Sequence, residues 1–338
     1  MKITCFGEYL LRLSPEGAYR FTQADCFDAV YGGAEANVAA ALTYFGEKAS
    51  YITKLPSHSI GDAALESIRK TGVGTDFIVR GGDRVGIYFL EKGSGVRPSK
   101  VIYDRKHSAI AESQPHEYDW EKILADSDSF FFTGITPAIS ADMPAIVRDA
   151  LEVCRTKGIR ISCDINYRAT LWSAEKAGSV MRRLITGIDT LIANEEHAAL
   201  LLDVKSDEED ENERLKSVCR ALCERYDIRC VVMTLRRSIS ADDNIVSAVM
   251  YDSESGSFVR SNDYPVHITD RVGGGDALTA AVLYAQAHGF DAEHTIEFAS
   301  AANAFKHSIH GDTLIASPAE IEALAQSKKG DGTIRMVR

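Results

Sequence analysis

The sequence predicts an α/β domain, a mostly parallel central sheet with helices on both faces. Three observations predict it. Short apolar runs of strand length alternate with longer stretches of helical periodicity. Two of those helical stretches end at a glycine. Two β-rich pairs flank Gly/Ser-containing turns, as antiparallel hairpins do.

The strand-like runs are ITCFGEYLLRL (3–13), ASYITKL (49–55), SFFFTGI (129–135), IRISCDINY (159–167), TLIAN (190–194) and CVVMTL (230–235). AEANVAAALTYFG (34–46) and PAIVRDALEVCRTKG (144–158) read as helices closed by Gly46 and Gly158. The stretch 83–105 breaks the alternation with a predicted hairpin, and a second hairpin is predicted over 244–261. The acidic run SDEEDENE (206–213) has no apolar periodicity and reads as a solvated loop or helix start. No repeat or Pro/Gly/Ser-rich linker divides the chain, so one domain over 1–338 is expected.

Composition excludes several function classes. The chain has 338 residues, 45% hydrophobic and 26% charged, which is ordinary for a globular protein with a sizeable core. Its net charge of −11 argues against nucleic acid or anionic membrane surfaces as partners. No apolar run reaches the length of a membrane span, and the N-terminal stretch reads as a strand rather than a signal peptide. The seven cysteines fall in mostly apolar contexts and complete no zinc pattern; reduced, buried thiols in a cytoplasmic protein are expected.

The chemistry concentrates in DRVGGGDALTAAV (270–282). Glycines allow close backbone approach, and a helix N-terminus presents unpaired N–H groups. Gly273, Gly274 and Gly275 ahead of a helix from Ala277 therefore form a plausible anion cradle. Asp276 beside a bound phosphate makes sense as a base that takes a proton from an attacking hydroxyl. The competing reading is a glycine-rich loop closed by an Asp N-cap, and the loop alone does not choose between them. No Gly-Lys-Ser/Thr follows, which excludes a P-loop, and the order of a dinucleotide-binding fingerprint is not evident. YGGAEANVAAAL (31–42) is a second Gly-Gly turn leading into a helix. There Gly32 and Gly33 would admit a small polar ligand and Asn37 would bond its hydroxyls, although alone the element reads more readily as a helix cap.

Together the two elements resemble the ribokinase-like, PfkB-type sugar kinases over nearly the whole chain. The family's Asp-Thr-x-Gly-Ala-Gly-Asp motif stands here as Asp270-Arg271-Val272-Gly273-Gly274-Gly275-Asp276. Within the family the chain is most similar to kinases of 2-keto-3-deoxygluconate, through GGAEANVA (32–39), GIYFLE (86–91), YDRKHSA (103–109), TGITPAIS (133–140), DINYRATLW (164–172) and KHSIHGD (306–312). The resemblance implies a three-layer α/β/α domain with a small β-sheet lid from segments about 9–31 and 84–108. It implies ATP and Mg2+ as cofactors and a homo-oligomer formed through the lid. It places Gly33, Asn37, Tyr88, Tyr103, Arg105, Arg168, Asp276 and Asp312 at the sugar. It places Asn194, Thr234, Gly273, Gly275 and Asn303 at the nucleotide, with Asp276 and Gly273 to Gly275 catalytic.

Many neutral-sugar kinases of the family carry an Asp in the first strand segment, within a Gly-Glu-x-x-x-Asp pattern, where this chain has Arg12. With Arg105 and Arg168 it suits a ligand bearing its own carboxylate and argues against fructose. Nothing in the sequence separates the gluconate from the galactonate epimer, and a non-catalytic sugar-binding regulator is the reading from another class. The family's Asn-x-x-Glu motif is NEEH (194–197), with His197 at the Glu position, so direct metal contact by this motif is not expected and magnesium would be held mainly by ATP phosphates and water. Arg236 replaces a glycine of the nucleotide-side turn, where Arg236 or Arg237 would reach a phosphate or stay at the surface.

Overall fold

A computed structural model of the chain describes residues 1–327. Eight strands of its nine-stranded main sheet lie in the order Phe258–Arg260, Asp243–Asp252, Cys230–Ser238, Thr190–Ala193, Arg160–Asp164, Ser129–Thr133, Lys2–Phe6 and Lys48–Ile52. Tyr264–His267 pairs with the remaining half of Asp243–Asp252. The strands from Cys230–Ser238 to Lys48–Ile52 are parallel; those beyond are antiparallel. Side chains alternate across the sheet. Phe130 and Phe132 join one apolar layer, with Met143, Ile146 and Leu151 of the helix Met143–Lys157. Phe131 points the other way, into a layer with the helices Ala34–Tyr44, Gly274–Ala287 and Ala292–Lys306. This is the three-layer α/β/α arrangement.

A separate four-stranded sheet has the order Asp28–Gly32, Leu10–Ser14, Gly86–Glu91, Lys100–Asp104. Its two faces differ in chemistry. The row Arg12–Tyr88–Tyr103 faces the main body, and the row Leu13–Phe89–Ile102 faces away. The tip of its hairpin docks on the main domain, where Gly95 N donates to Asp242 Oδ2 (2.6 Å) and Ala241 N donates to Gly95 O (2.8 Å).

Both predicted hairpins form, and Gly158 closes its helix in the left-handed conformation at φ 67°. Three expectations are corrected. The apolar run 3–13 is not one strand: Lys2–Phe6 stays in the main sheet, and after Gly7–Tyr9 the chain crosses to the small sheet as Leu10–Ser14. The helix of the glycine motif begins at Gly274, not Ala277, so Asp276 is its third residue and Gly273 its N-cap. Cys26 is exposed, whereas the other six cysteines are buried. The acidic run is a loop that ends as a helix start, with Asp210 capping Glu211–Tyr226.

Candidate active site

A cleft of about 490 Å³ lies between the small sheet and the C-terminal ends of the parallel strands. Ligand crevices of open α/β sheets form at that end, because loops leaving adjacent strands diverge there. Asp164 ends one strand, Asn194 follows the next, and Thr234 lies on a third; all three line the cleft.

Two helix N-termini converge on the floor. Both helices are alanine-rich, and small side chains such as Ala36, Ala39, Ala277 and Ala280 let them pack closely in one buried layer. Close packing brings Asn37 Nδ2 to 2.7 Å from Asp276 Oδ2, while Asn37 Oδ1 accepts from Gly33 N at 3.4 Å. Gly273 must be glycine: its φ is 87°, and a Cβ there would collide with the Asp312 carbonyl oxygen. The amides of Gly274, Gly275 and Asp276 open the helix and have no intrahelical acceptor, which makes the cradle.

Asp276 is pushed up to about 7, mainly by desolvation; the Asn37 hydrogen bond opposes this, and the charges of Asp164 and Glu35 add to it. Asp164 is likewise pushed up to about 7 by burial, against a hydrogen bond from Asn166 N and the charge of Arg168. Glu35 is held by Thr133 N (3.1 Å), Thr133 Oγ1 (2.7 Å) and Thr136 Oγ1 (2.5 Å), which gives the TGIT segment its role.

The wall beneath the small sheet is a closed network of charges. Arg12 Nη2 donates to Asp270 Oδ2 (2.7 Å), and Arg12 Nη1 to Asp312 Oδ1 (2.5 Å). Tyr88 OH donates to Asp312 Oδ2 (2.5 Å). Arg105 and Ser108 both donate to the buried Glu8 carboxylate. Lys306 is fully buried behind the cradle, its Nζ donating to Ile309 O (3.1 Å).

At the other end Asn194 caps the helix Glu195–Leu202 by accepting from His197 N (2.7 Å), and Thr234 Oγ1 reaches Ala193 O at 3.5 Å. Burial holds the cleft-lining His197 below its ordinary value. Glu195 turns away to Arg214 (2.7 Å). Among the described residues no group of three or more His, Cys, Asp or Glu is placed to hold a metal ion.

Gly33, Asn37, Tyr88, Tyr103, Arg105, Arg168, Asp312, Asn194, Thr234, Gly273, Gly274, Gly275 and Asp276 all line this one cleft. Asn303 does not; it lies beneath the cradle, its carbonyl accepting from the His307 ring (2.8 Å). Arg12 is absent from the wall, its two terminal nitrogens bonded to Asp270 and Asp312, and Arg105 lines the wall already bonded to Glu8. Gly32 lines the cleft as well, and the Asp312 carboxylate packs where a Cβ at Gly32 would stand. Only Arg168 of the three arginines faces the cleft without an ion pair among the described residues. Sequence reasoning missed Glu8, Glu35 and Lys306, whose partners lie far away in the chain. The one available signal was an acidic residue beside each glycine motif, in GEYL and GGAE.

The pfkB family carbohydrate kinase model matches residues 2–319. The chain is 47% identical to a Thermotoga maritima structure described as 2-dehydro-3-deoxygluconokinase, with a TM-score of 0.94 over 96% of this chain and 99% of that one. It is 30% identical, over 98% of each chain, to a 2-dehydro-3-deoxygalactonokinase of Haloferax volcanii. An Escherichia coli structure described as a putative ribokinase II in complex with ATP and Mg2+ shares the fold at 22% identity, with a TM-score of 0.79 over 96% of this chain and 99% of that one. With the matching fold and a glycine cradle presenting an aspartate at the sheet's C-terminal edge, the chain belongs to the pfkB family of carbohydrate kinases.

Proposed function

We propose that the chain transfers the γ-phosphoryl group of ATP to the 6-hydroxyl of 2-keto-3-deoxygluconate. The observation that carries this reading is Asp276, set in the first turn of the cradle helix and oriented by Asn37. A carboxylate at that spot opposes a bound phosphate unless it takes up a proton, and one titrating near neutrality is suited to do so. The hydroxyl proton passes to Asp276 as the O6–P bond forms and the bond from phosphorus to the ADP oxygen breaks. The amides of Gly274 and Gly275 meet the charge on the transferring group; such donors are worth about 3–4 kcal/mol each in measured oxyanion holes.

The substrate assignment rests on the Thermotoga relative and on Arg168, which is free to pair with a sugar carboxylate. Tyr88, Tyr103, Arg105 and Asp312 would shape the sugar end, with Asn194 and Thr234 on the nucleotide side. Among the described residues no group of three or more His, Cys, Asp or Glu could cage magnesium, so Mg2+ would arrive on the nucleotide, held by phosphates and water. The small sheet would act as a lid that excludes water during transfer. Its outer face, where Phe89 contacts Phe21 and Phe27 and Ile102 is 43% exposed, would pair with a second copy. No helix among the described residues is long and apolar enough to cross a membrane, and a cytoplasmic enzyme fits that.

An ADP-release assay with ATP, magnesium and a panel of 2-keto-3-deoxygluconate, its galactonate epimer, fructose and ribose tests the reading. Turnover confined to keto-deoxy acids is expected, fastest on the gluconate form. Preference for the galactonate epimer would move the assignment to the Haloferax relative's substrate. Preference for a neutral sugar would overturn the role of Arg168.

A further inference from the structure

Two arginines at the far end of the cleft have no place in the chemistry above. Arg236 leaves the strand Cys230–Ser238, and Arg271 leaves the loop just before the cradle; both line the cleft. Among the described residues neither makes an ion pair. Arg271 Nη2 donates to Ala241 O (3.2 Å), and its Nε is buried with no hydrogen-bond partner. Burial and then repulsion from Arg236 pull the Arg271 guanidinium below its ordinary value, with Asp242 opposing. That carboxylate is already committed to Gly95 N of the hairpin tip. Two guanidiniums thus line one polar cleft, Arg271 two residues from the first cradle glycine.

We propose that Arg236 and Arg271 form a two-armed clamp for the polyphosphate of the bound nucleotide. The inference rests on the kinase reading and deepens it. A polyphosphate offers several anionic oxygens along a chain, and two planar guanidinium forks bind such a chain at two points. It would also satisfy the orphaned Nε and relieve the repulsion. With no protein carboxylate cage for a metal among the described residues, the clamp supplies positive charge that the protein otherwise lacks there. Because Arg271 bonds to Ala241, whose amide donates to Gly95 O, the clamp also sits one contact from the small sheet's hairpin tip.

Equilibrium titration of wild type, Arg236→Gln, Arg271→Gln and the double variant with ATP, AMP and inorganic tripolyphosphate tests this. Each single variant should weaken ATP and tripolyphosphate by about tenfold or more, as loss of a charge-assisted bond does, and change AMP by less than about twofold. The KM for sugar should stay at the wild-type value, and Arg271→Lys should recover part of the lost ATP affinity. Variants that bind ATP like wild type, or that lose AMP as strongly as ATP, would overturn the clamp. Should a variant fail to fold, salt titration of the wild type decides instead. ATP affinity must then fall more steeply with KCl than AMP affinity, and equal slopes would overturn the proposal. A wild type that binds tripolyphosphate through these arginines yet phosphorylates no sugar would sink the kinase reading and leave the clamp standing.

Discussion

The two ends of the cleft handle charge in opposite ways. Beneath the small sheet every buried charge has a protein partner: Arg12 with Asp270 and Asp312, Arg105 with Glu8, Lys306 with a carbonyl and two nearby carboxylates. At the far end Arg236 and Arg271 make no ion pair among the described residues, Arg271 bonding only the Ala241 carbonyl, and Arg168 lines the same cleft without an ion pair. A paired wall is rigid and presents a fixed shape, as sugar recognition demands. An unpaired one keeps its charge for an anion that comes and goes. Asp276 sits where the two meet, its carboxyl raised by burial so that it takes a proton near neutrality.

The largest effect is expected at that junction. Asp276→Asn keeps an acceptor for Asn37 but cannot take the hydroxyl proton, so turnover should fall by about 10²–10⁴-fold with ATP binding retained. Single-turnover kinetics beside nucleotide titration would check this. Next comes the contrast in stability. Arg12→Ala leaves Asp270 and Asp312 buried without their partner and should cost about 3–5 kcal/mol in urea unfolding. Arg271→Gln removes a charge that has no ion-pair partner among the described residues, leaves an amide that can still donate to the Ala241 carbonyl, and should stay within about 0.5 kcal/mol of wild type. Equal losses would erase the distinction between the ends.

A smaller effect is expected for Arg168→Ala. The KM for the acid sugar should rise about ten- to hundredfold, as loss of a charged hydrogen-bond donor implies, with the KM for ATP unchanged. The mildest test is pH. A carboxyl raised to about 7 is protonated, and useless as a base, below that value. The kcat/KM for sugar should therefore climb with pH and level off above about 7. Asp164 titrates in the same range and faces the same cleft, so the observed value belongs to the pair. A profile flat from pH 5 to 9 would remove Asp276 from the chemistry.

Much of the main body was legible because it is local. Strand–helix alternation, both hairpins and the glycine motifs are patterns within about 20 residues. The charge pairing was not legible, because it is remote. Arg12 reads as a free carboxylate receptor until the fold brings in Asp270 and Asp312, 258 and 300 residues away. The run 3–13 reads as one strand because nothing apolar marks the crossing between sheets at Gly7–Tyr9. The cradle helix starts three residues early for a related reason. Glycine is a poor helix former, yet at the first positions of this helix the free amides it exposes are the functional feature. Asp276 stood out as a candidate because its motif is contiguous, and the fold sets it in the cleft.

The most direct test is a crystal structure with 2-keto-3-deoxygluconate and a non-hydrolysable ATP analogue bound together. The 6-hydroxyl is expected in hydrogen-bond reach of Asp276, the sugar carboxylate on Arg168, and the polyphosphate across Arg236 and Arg271 with its terminal group on the cradle. A sugar carboxylate seated on Arg236 or Arg271, or a 6-hydroxyl turned away from Asp276, would contradict this arrangement.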